Sequence, residues 1–310
     1  METASKPASE KSRAVKIRRN WDDLSFDALN FILLTFALLV VIYPLIYVIS
    51  ASFSSYSAVA SGRVVIWPVE PSMMAYDAVF RNPRIMIGYR NSLLYAIVGT
   101  FLNVVMAMLA AFPLSRREIF GKRFLNLFFV FTMFFSGGLI PYFLLVKDTL
   151  RLYDTPLAII LPTMMNVWYV LLTRTYIQSS IAEELIESAE LDGCSVFGIL
   201  WRIIVPLSKP IMAVIALYCA VAVWSSFFEA FIFIRSNEYM PLQVILRDLL
   251  ILANLGQDML QDAKSMAQRM AMRNLLKYAI IVVSSAPLLI MYPFVQRHFV
   301  KGIMIGSLKG

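Results

Sequence analysis

Residues 180–210 read SIAEELIESAELDGCSVFGILWRIIVPLSKP, a polar island between long apolar runs. Ser180 with Glu183 three positions on has capping-box spacing, in which a hydroxyl and a carboxylate satisfy backbone donors at a helix start. Glu183, Glu187 and Glu190 fall on one helical face, and Ala182, Leu185 and Ala189 on the other. Asp192-Gly193 ends that helix, because glycine accepts the left-handed backbone of a helix C-terminus. Ser195 is placed to cap a second short helix over residues 196–204, which Pro206 stops. The stretch therefore predicts helix, sharp turn, helix, and then the start of an apolar run. By this local pattern alone it is equally an ordinary polar loop folded as a helical hairpin.

Working outward, the flanks decide the class. The chain has 310 residues, 59% hydrophobic and 15% charged, against about 25% charged in a soluble domain. Mean hydropathy is +0.71. This predicts an all-α integral membrane protein. Six apolar runs, 29–53, 91–114, 124–146, 155–173, 210–234 and 278–296, each approach the ~20 residues a spanning helix needs. The first is longer than the ~7–15-residue apolar core of a cleavable signal, so it is read as an uncleaved span. Pro141, Pro162 and Pro287 fall inside runs, where neighbouring helices or water can satisfy freed carbonyls. Gly137-Gly138, just before Pro141, predicts an open or tightly packed backbone. The chain thus divides into a tail (1–27), a six-span domain (28–296, with the polar loop at 178–209) and a second tail (297–310).

Orientation follows from basic residues. A net charge of +8 could suit nucleic acid, but no aromatic and basic residues interleave as on a nucleic-acid face. Membrane proteins instead collect Lys and Arg in cytoplasmic loops. Arg116, Arg117, Lys122 and Arg123 crowd one short loop, on the same side as both tails and the polar island. Both termini and the island are therefore expected in the cytoplasm. On the opposite side, residues 235–276 predict two amphipathic helices, 242–254 and 259–272. Met259, Met266, Met270 and Met272 there suit an adaptable surface or packing against neighbouring spans.

The island resembles the EAA loop of permease subunits of bacterial ATP-binding-cassette (ABC) importers. The matching residues are Glu187-Ser188-Ala189, Asp192-Gly193-Cys194 and Ile203-Ile204-Val205-Pro206. Ser188, Cys194 and Val205 depart from the family pattern, each by a small or similar residue. In that family the loop is a coupling helix seated on the ATPase subunit. The resemblance thus implies an ATPase-coupling role for Glu187, Ser188, Ala189, Asp192, Gly193, Cys194, Ile203 and Pro206. Tyr89-Arg90-Asn91-Ser92, Ala111-Phe112-Pro113-Leu114-Ser115-Arg116 and Gly137-Gly138-Leu139-Ile140-Pro141 are similar to the sugar-importer group. Tyr292-Pro293-Phe294 and the ending from Phe299 to Gly310 are similar to the maltose-type second permease, closer to a branch associated with complex or acidic oligosaccharides. There the resemblance implies a tail at the ATPase interface, with Gly306, Ser307, Lys309 and Gly310; the plain alternative is a disordered end. Ser225, after Trp224, stands where this group commonly has asparagine, so that side chain's role does not transfer.

Catalytic and cofactor chemistry is sparse. No G-x-x-x-x-G-K-[ST] occurs: Gly121-Lys122 is preceded by Arg116 where the first glycine would stand. H-E-x-x-H, C-x-x-C and G-x-S-x-G are also missing from the sequence. Cys194, Cys219 and the lone His298 form no disulfide framework or zinc pattern. The chain is accordingly expected to be no enzyme and to hold no cofactor or metal. By the resemblance, a partner ATPase binds ATP and Mg. Sugar recognition wants aromatic faces and hydrogen-bonding groups, which makes Asn166, Trp168, Tyr169, Trp224 and Glu229 candidates for the substrate pathway. Trp168 and Tyr169 suit packing equally, and Glu229, near an outer end, suits a surface ion pair.

The resemblance implies a heterodimer with a second permease subunit, two ATP-binding subunits and an external solute-binding protein, in a bacterial cell membrane, without nucleic acid. Two other classes compete. An ion- or proton-coupled secondary transporter wants paired acids or histidines at mid-membrane and an inverted repeat, whereas this sequence offers one acid and no repeat. A membrane sensor that transports nothing is the third.

Overall fold

The computed structural model describes residues 21–255 and 275–293. The first tail to residue 20, the predicted helix 259–272 with its four methionines, His298 and the tail with Gly306, Ser307, Lys309 and Gly310 lie outside the described residues. Helices account for all the regular structure among the described residues.

Helix α1 runs Trp21–Ser52 without charge from residue 29 on. Its apolar side chains are exposed all round, as a lipid-facing helix requires. Only its C-terminal end packs, with Tyr47 edge-on to Tyr278 at 5.9 Å. Two short helices, α2 (Tyr56–Ala60) and α3 (Met74–Phe80), fold the connection to α4, Pro83–Ser115. Asn82 caps α4 by accepting from the Arg84 amide at 3.0 Å, and Pro83 suits its first position.

The bundle is built around α4. Gly88, Ser92, Ala96, Gly99, Asn103, Ala107 and Ala111 recur at three- or four-residue spacing, giving one narrow face. Small residues let helices approach closely where lipid supplies no hydrophobic drive. At Gly88 a Cβ would lie 3.1 Å from the Leu242 Cα. The same face carries polar groups that satisfy irregular backbone nearby. Asn91 donates to the carbonyls of Glu238 (2.7 Å) and Met240 (3.1 Å), Tyr95 donates to that of Tyr239 (2.8 Å), and Ser92 accepts from the Leu242 amide (2.8 Å). Non-helical backbone survives at such depth only when protein pairs it.

Three of the six predicted runs prove to be interrupted. Residues 124–146 form α5 (Lys122–Phe134) and α6 (Leu139–Leu144), the latter prolonged by a π-helical turn Leu145–Thr149; the two arms meet at 105°. Gly138 sits at the bend with φ +84°, and a Cβ there would touch nothing, so the backbone is open. Residues 155–173 divide into α7 (Leu157–Ile160) and α8 (Val167–Ser180), separated by turns around Pro162. Beyond the hairpin α9 (Glu183–Leu191) and α10 (Val196–Ile199), a π turn Leu200–Ile204 leads into α11 (Val205–Leu207). The chain then bends by 77° into α12, Lys209–Ser225. Residues 226–227 break the fifth run before α13, Phe228–Phe233. Helix α14, Leu242–Leu255, matches the first predicted amphipathic helix, and α15 spans Leu275–Pro293. Among the described residues, three helices (α1, α4 and α15) are long and apolar enough to cross a membrane unbroken.

Candidate functional site: a polar hairpin and an intrabundle cavity

The hairpin α9–α10 differs from its prediction at both ends. Ser180 closes α8 instead of capping α9, whose N-cap is Ala182 without a side-chain bond, so the capping box does not form. Cation capture explains the shift. Arg117 pairs with Glu183 at 3.1 Å and Arg116 with Glu190, so those carboxylates turn toward the end of α4. The buried face is therefore Ile186 and Ala189, and Leu185 stands 48% exposed, opposite to the expected grouping. Ile186 and Ala189 join Ala111, Phe112, Ile177, Ile199 and Leu200 in one core cluster. Burying Ile186 alone stabilises the docked hairpin by about 1.5–3 kcal/mol.

The turn follows the sequence. Asp192 ends α9, Gly193 takes φ +75°, and the amides of Gly193 and Cys194 donate to the carbonyls of Glu190 (3.0 Å) and Ala189 (2.9 Å). Ser195 caps α10 by accepting from the Gly198 amide at 3.2 Å. Pro206 does not stop the helix. The preceding π turn pairs the Val205 amide with the Leu200 carbonyl, so Pro206 falls in the first turn of α11, where a missing N–H costs nothing. The break comes two residues later, at Ser208.

Of the predicted coupling residues, Glu187, Ser188, Asp192 and Gly193 are exposed near the turn, Cys194 is half-buried, and Ala189 faces the core. Ile203 packs against that core and Pro206 is exposed on the second arm. Around them stand Leu191 (90% exposed), Val196 and Phe197, an apolar tip that water does not favour.

Above the hairpin, a cavity of about 230 Å³ opens among α4, α7, α8, α12 and α13. Asn103, Thr163, Asn166, Tyr169, Ser226 and Glu229 supply its polar lining. Three of the five predicted pathway residues, Asn166, Tyr169 and Glu229, meet here. Asn166 caps α8 by accepting from the Trp168 amide at 2.9 Å. The Glu229 carboxylate accepts from the Ser226 hydroxyl one turn away. Trp168 is exposed and does not line the cavity. Trp224 is core: 3% exposed, edge-on to Tyr89 at 5.5 Å, its indole N–H donating to the Ser284 carbonyl at 3.0 Å.

Sequence reasoning missed Asn103, which organises the cavity. Its amide donates to the Thr163 carbonyl (2.7 Å) while its oxygen accepts from the Asn166 amide (3.1 Å), clamping both sides of the α7–α8 break. An amide in the middle of an apolar run was the available signal, since intramembrane polar groups are functional candidates by default. Among the described residues no group of three His, Cys, Asp or Glu side chains converges as metal ligands do.

Comparison with known proteins supports one assignment. Residues 85–305 match the family described as binding-protein-dependent transport system inner membrane component. Protein LplC of Bacillus subtilis (strain 168) is 38% identical over 288 residues, covering 92% of this chain and 95% of that protein. The polygalacturonan/rhamnogalacturonan transport system permease protein YtcP of the same organism is 38% identical over 286 residues, covering 92% of this chain and 98% of that one. A chain from the crystal structure of a bacterial ABC transporter involved in the import of the acidic polysaccharide alginate superposes with a TM-score of 0.82. It is 33% identical, covering 92% of this chain and all of that one.

Proposed function

This chain belongs to the family of binding-protein-dependent transport system inner membrane components, and we propose that it is one permease subunit of an ATP-driven importer for oligosaccharides. It pairs with a second permease subunit, two ATP-binding subunits and an external solute-binding protein, which delivers sugar. The family makes it a transport protein of the cell membrane and not a catalytic one; ATP and Mg belong to the partner ATPase. Both termini and the hairpin are assigned to the cytoplasm, as the basic 116–123 loop beside them favours.

The observation that carries this reading is the hairpin. Its apolar tip is exposed while its base is tied to the bundle by two ion pairs and a buried Ile186–Ala189 face. A surface so mounted passes on displacement instead of absorbing it. Closure of the ATPase dimer pushes the hairpin, and the bundle rocks between inward-open and outward-open forms. The cavity at Asn166, Tyr169 and Glu229 contributes half of the sugar path: the amide N–H donates to sugar hydroxyls, the carboxylate accepts from them, and the tyrosine ring lies against a sugar face. The assignment to oligosaccharides rests on the polygalacturonan/rhamnogalacturonan transport permease and on the transporter involved in alginate import.

The test is affinity purification of the tagged chain from native membranes, with mass spectrometry of what accompanies it. A second permease and an ATP-binding subunit are expected, with the ATP-binding subunit depleted in a Gly193→Val variant. Recovery of the wild type alone, even after cross-linking, would overturn the reading. Uptake that outlasts ATP but collapses with the proton gradient would favour a secondary transporter instead.

A further inference from the structure

Helix α4 touches both candidate sites. Its C-terminal end meets the hairpin: Arg116 pairs with Glu190, Arg117 pairs with Glu183, and the Ser115 carbonyl accepts from the Gln178 amide at 3.0 Å. Thirteen residues earlier, about 20 Å up a helix that rises 1.5 Å per residue, Asn103 clamps the α7–α8 break at Thr163 and Asn166. The Arg116 side chain is 16% exposed and its Glu190 partner 40%, so the pair is partly withdrawn from screening solvent.

We infer that Arg116, at the C-cap of α4, and Asn103, in the middle of that helix, are positioning residues that make α4 the member that converts hairpin displacement into a change of cavity shape. This rests on the proposed importer function. Glu190 and Arg116 carry motion from α9 into α4, because an ion pair resists both sliding and separation. Along α4 the close-packed small residues leave little room to absorb strain, since packed cores deform in discrete steps. At Asn103 the motion reaches an opening in the chain, where one side chain bonds both the Thr163 carbonyl and the Asn166 amide. Moving Asn103 therefore moves the Thr163 carbonyl and the start of α8, both of which border the cavity.

The experiment uses the whole importer, purified with its ATP-binding subunits and reconstituted in liposomes, and reads three quantities: ATP-binding subunit recovered with the chain, ATP hydrolysed, and sugar taken up per ATP. Arg116→Glu alone and Glu190→Arg alone are each expected to lower uptake per ATP about tenfold, the scale of coupling between contacting residues, with the ATP-binding subunit still recovered. The swapped pair restores most of that loss, and the lowered uptake per ATP with the ATP-binding subunit still recovered is what a merely structural defect would not give. Glu190→Gln, which keeps size and shape, gives a smaller loss and guards against misfolding of the charge reversals. Asn103→Leu uncouples to a similar degree. Combining it with Arg116→Glu adds little, because both cut one path. An unrescued swap, unchanged uptake per ATP in the single variants, or multiplied losses in the combination would overturn the inference. Failure of the wild-type complex to hydrolyse ATP or take up sugar would instead overturn the importer function on which it rests.

Discussion

Substitution at Gly193 isolates backbone conformation from every other effect. This residue holds φ +75°, and an added Cβ would meet no atom within 4 Å. Crowding thus contributes nothing, and the cost is that of a left-handed residue. For an L-residue that is about 1–2 kcal/mol, at the upper end for β-branched valine and at the lower end for asparagine, which tolerates this region. The turn bonds that depend on this conformation are the Gly193 and Cys194 amides to Glu190 and Ala189. A destabilisation of one to two kcal/mol raises the open fraction of the turn about 5- to 30-fold. The assay is amide hydrogen exchange at Cys194 in liposomes for the series Gly, Asn, Ala, Val, with recovery of the ATP-binding subunit measured alongside. Exchange should rise in that order and recovery fall in parallel. If asparagine exchanged as fast as valine, or valine as slowly as glycine, conformational strain at this turn would not be the operative effect.

Four other outcomes follow from particular contacts. Trp224→Phe should lower thermal stability by about 0.5–1.5 kcal/mol, because it removes the buried indole N–H donated to the Ser284 carbonyl; sugar preference should be unchanged in a competition uptake assay. Gly88→Ala should also destabilise by about 1–3 kcal/mol through overpacking, since the new Cβ would press on Leu242 backbone, and a melting curve in detergent reads it. Glu229→Gln should cut sugar uptake at subsaturating concentration about tenfold, the scale of a hydrogen bond to a charged group, with recovery of the ATP-binding subunit unaltered. In the loops, Asp154 accepts from the amides of Arg235 and Ser236 at 2.8 Å and from the Ser236 hydroxyl. The Ser236 hydrogen bonds hold its carboxyl below the usual value of 3.8. A depressed folded-state pKa stabilises above the unfolded value and fails as pH falls through the folded one. Exchange protection at Ser236 should therefore be full above about pH 4 and decline progressively as pH falls from there through the lower folded-state value, and Asp154→Ala should abolish that pH dependence.

Much of the hairpin was legible because its determinants are local. Glycine at a left-handed position and a serine three residues before an amide act within one or two turns of chain. The family pattern at Glu187, Asp192-Gly193 and Pro206 added a role for the loop that no local rule supplies. Errors arose where the deciding partner lay far away in sequence. Leu185 was grouped with Ala189 because helical periodicity cannot see Arg116 and Arg117, more than sixty residues upstream, which rotate α9 by capturing Glu190 and Glu183. Pro206 was expected to end a helix because a π turn, which shifts the hydrogen-bond register by one residue, has no sequence rule of its own.

By itself, then, the sequence determined the class, the apolar runs and the helix–turn–helix island, because hydrophobicity, glycine and caps act over short distances. Only the tertiary structure decided that three of those runs are broken, that Trp224 is core while Asn166, Tyr169 and Glu229 share a cavity, and that Asn103 binds the break beside it. Those outcomes depend on which backbone groups a helix break leaves unpaired and which distant side chain reaches them. In a medium without water that pairing is obligatory, and its partner is chosen by packing in three dimensions.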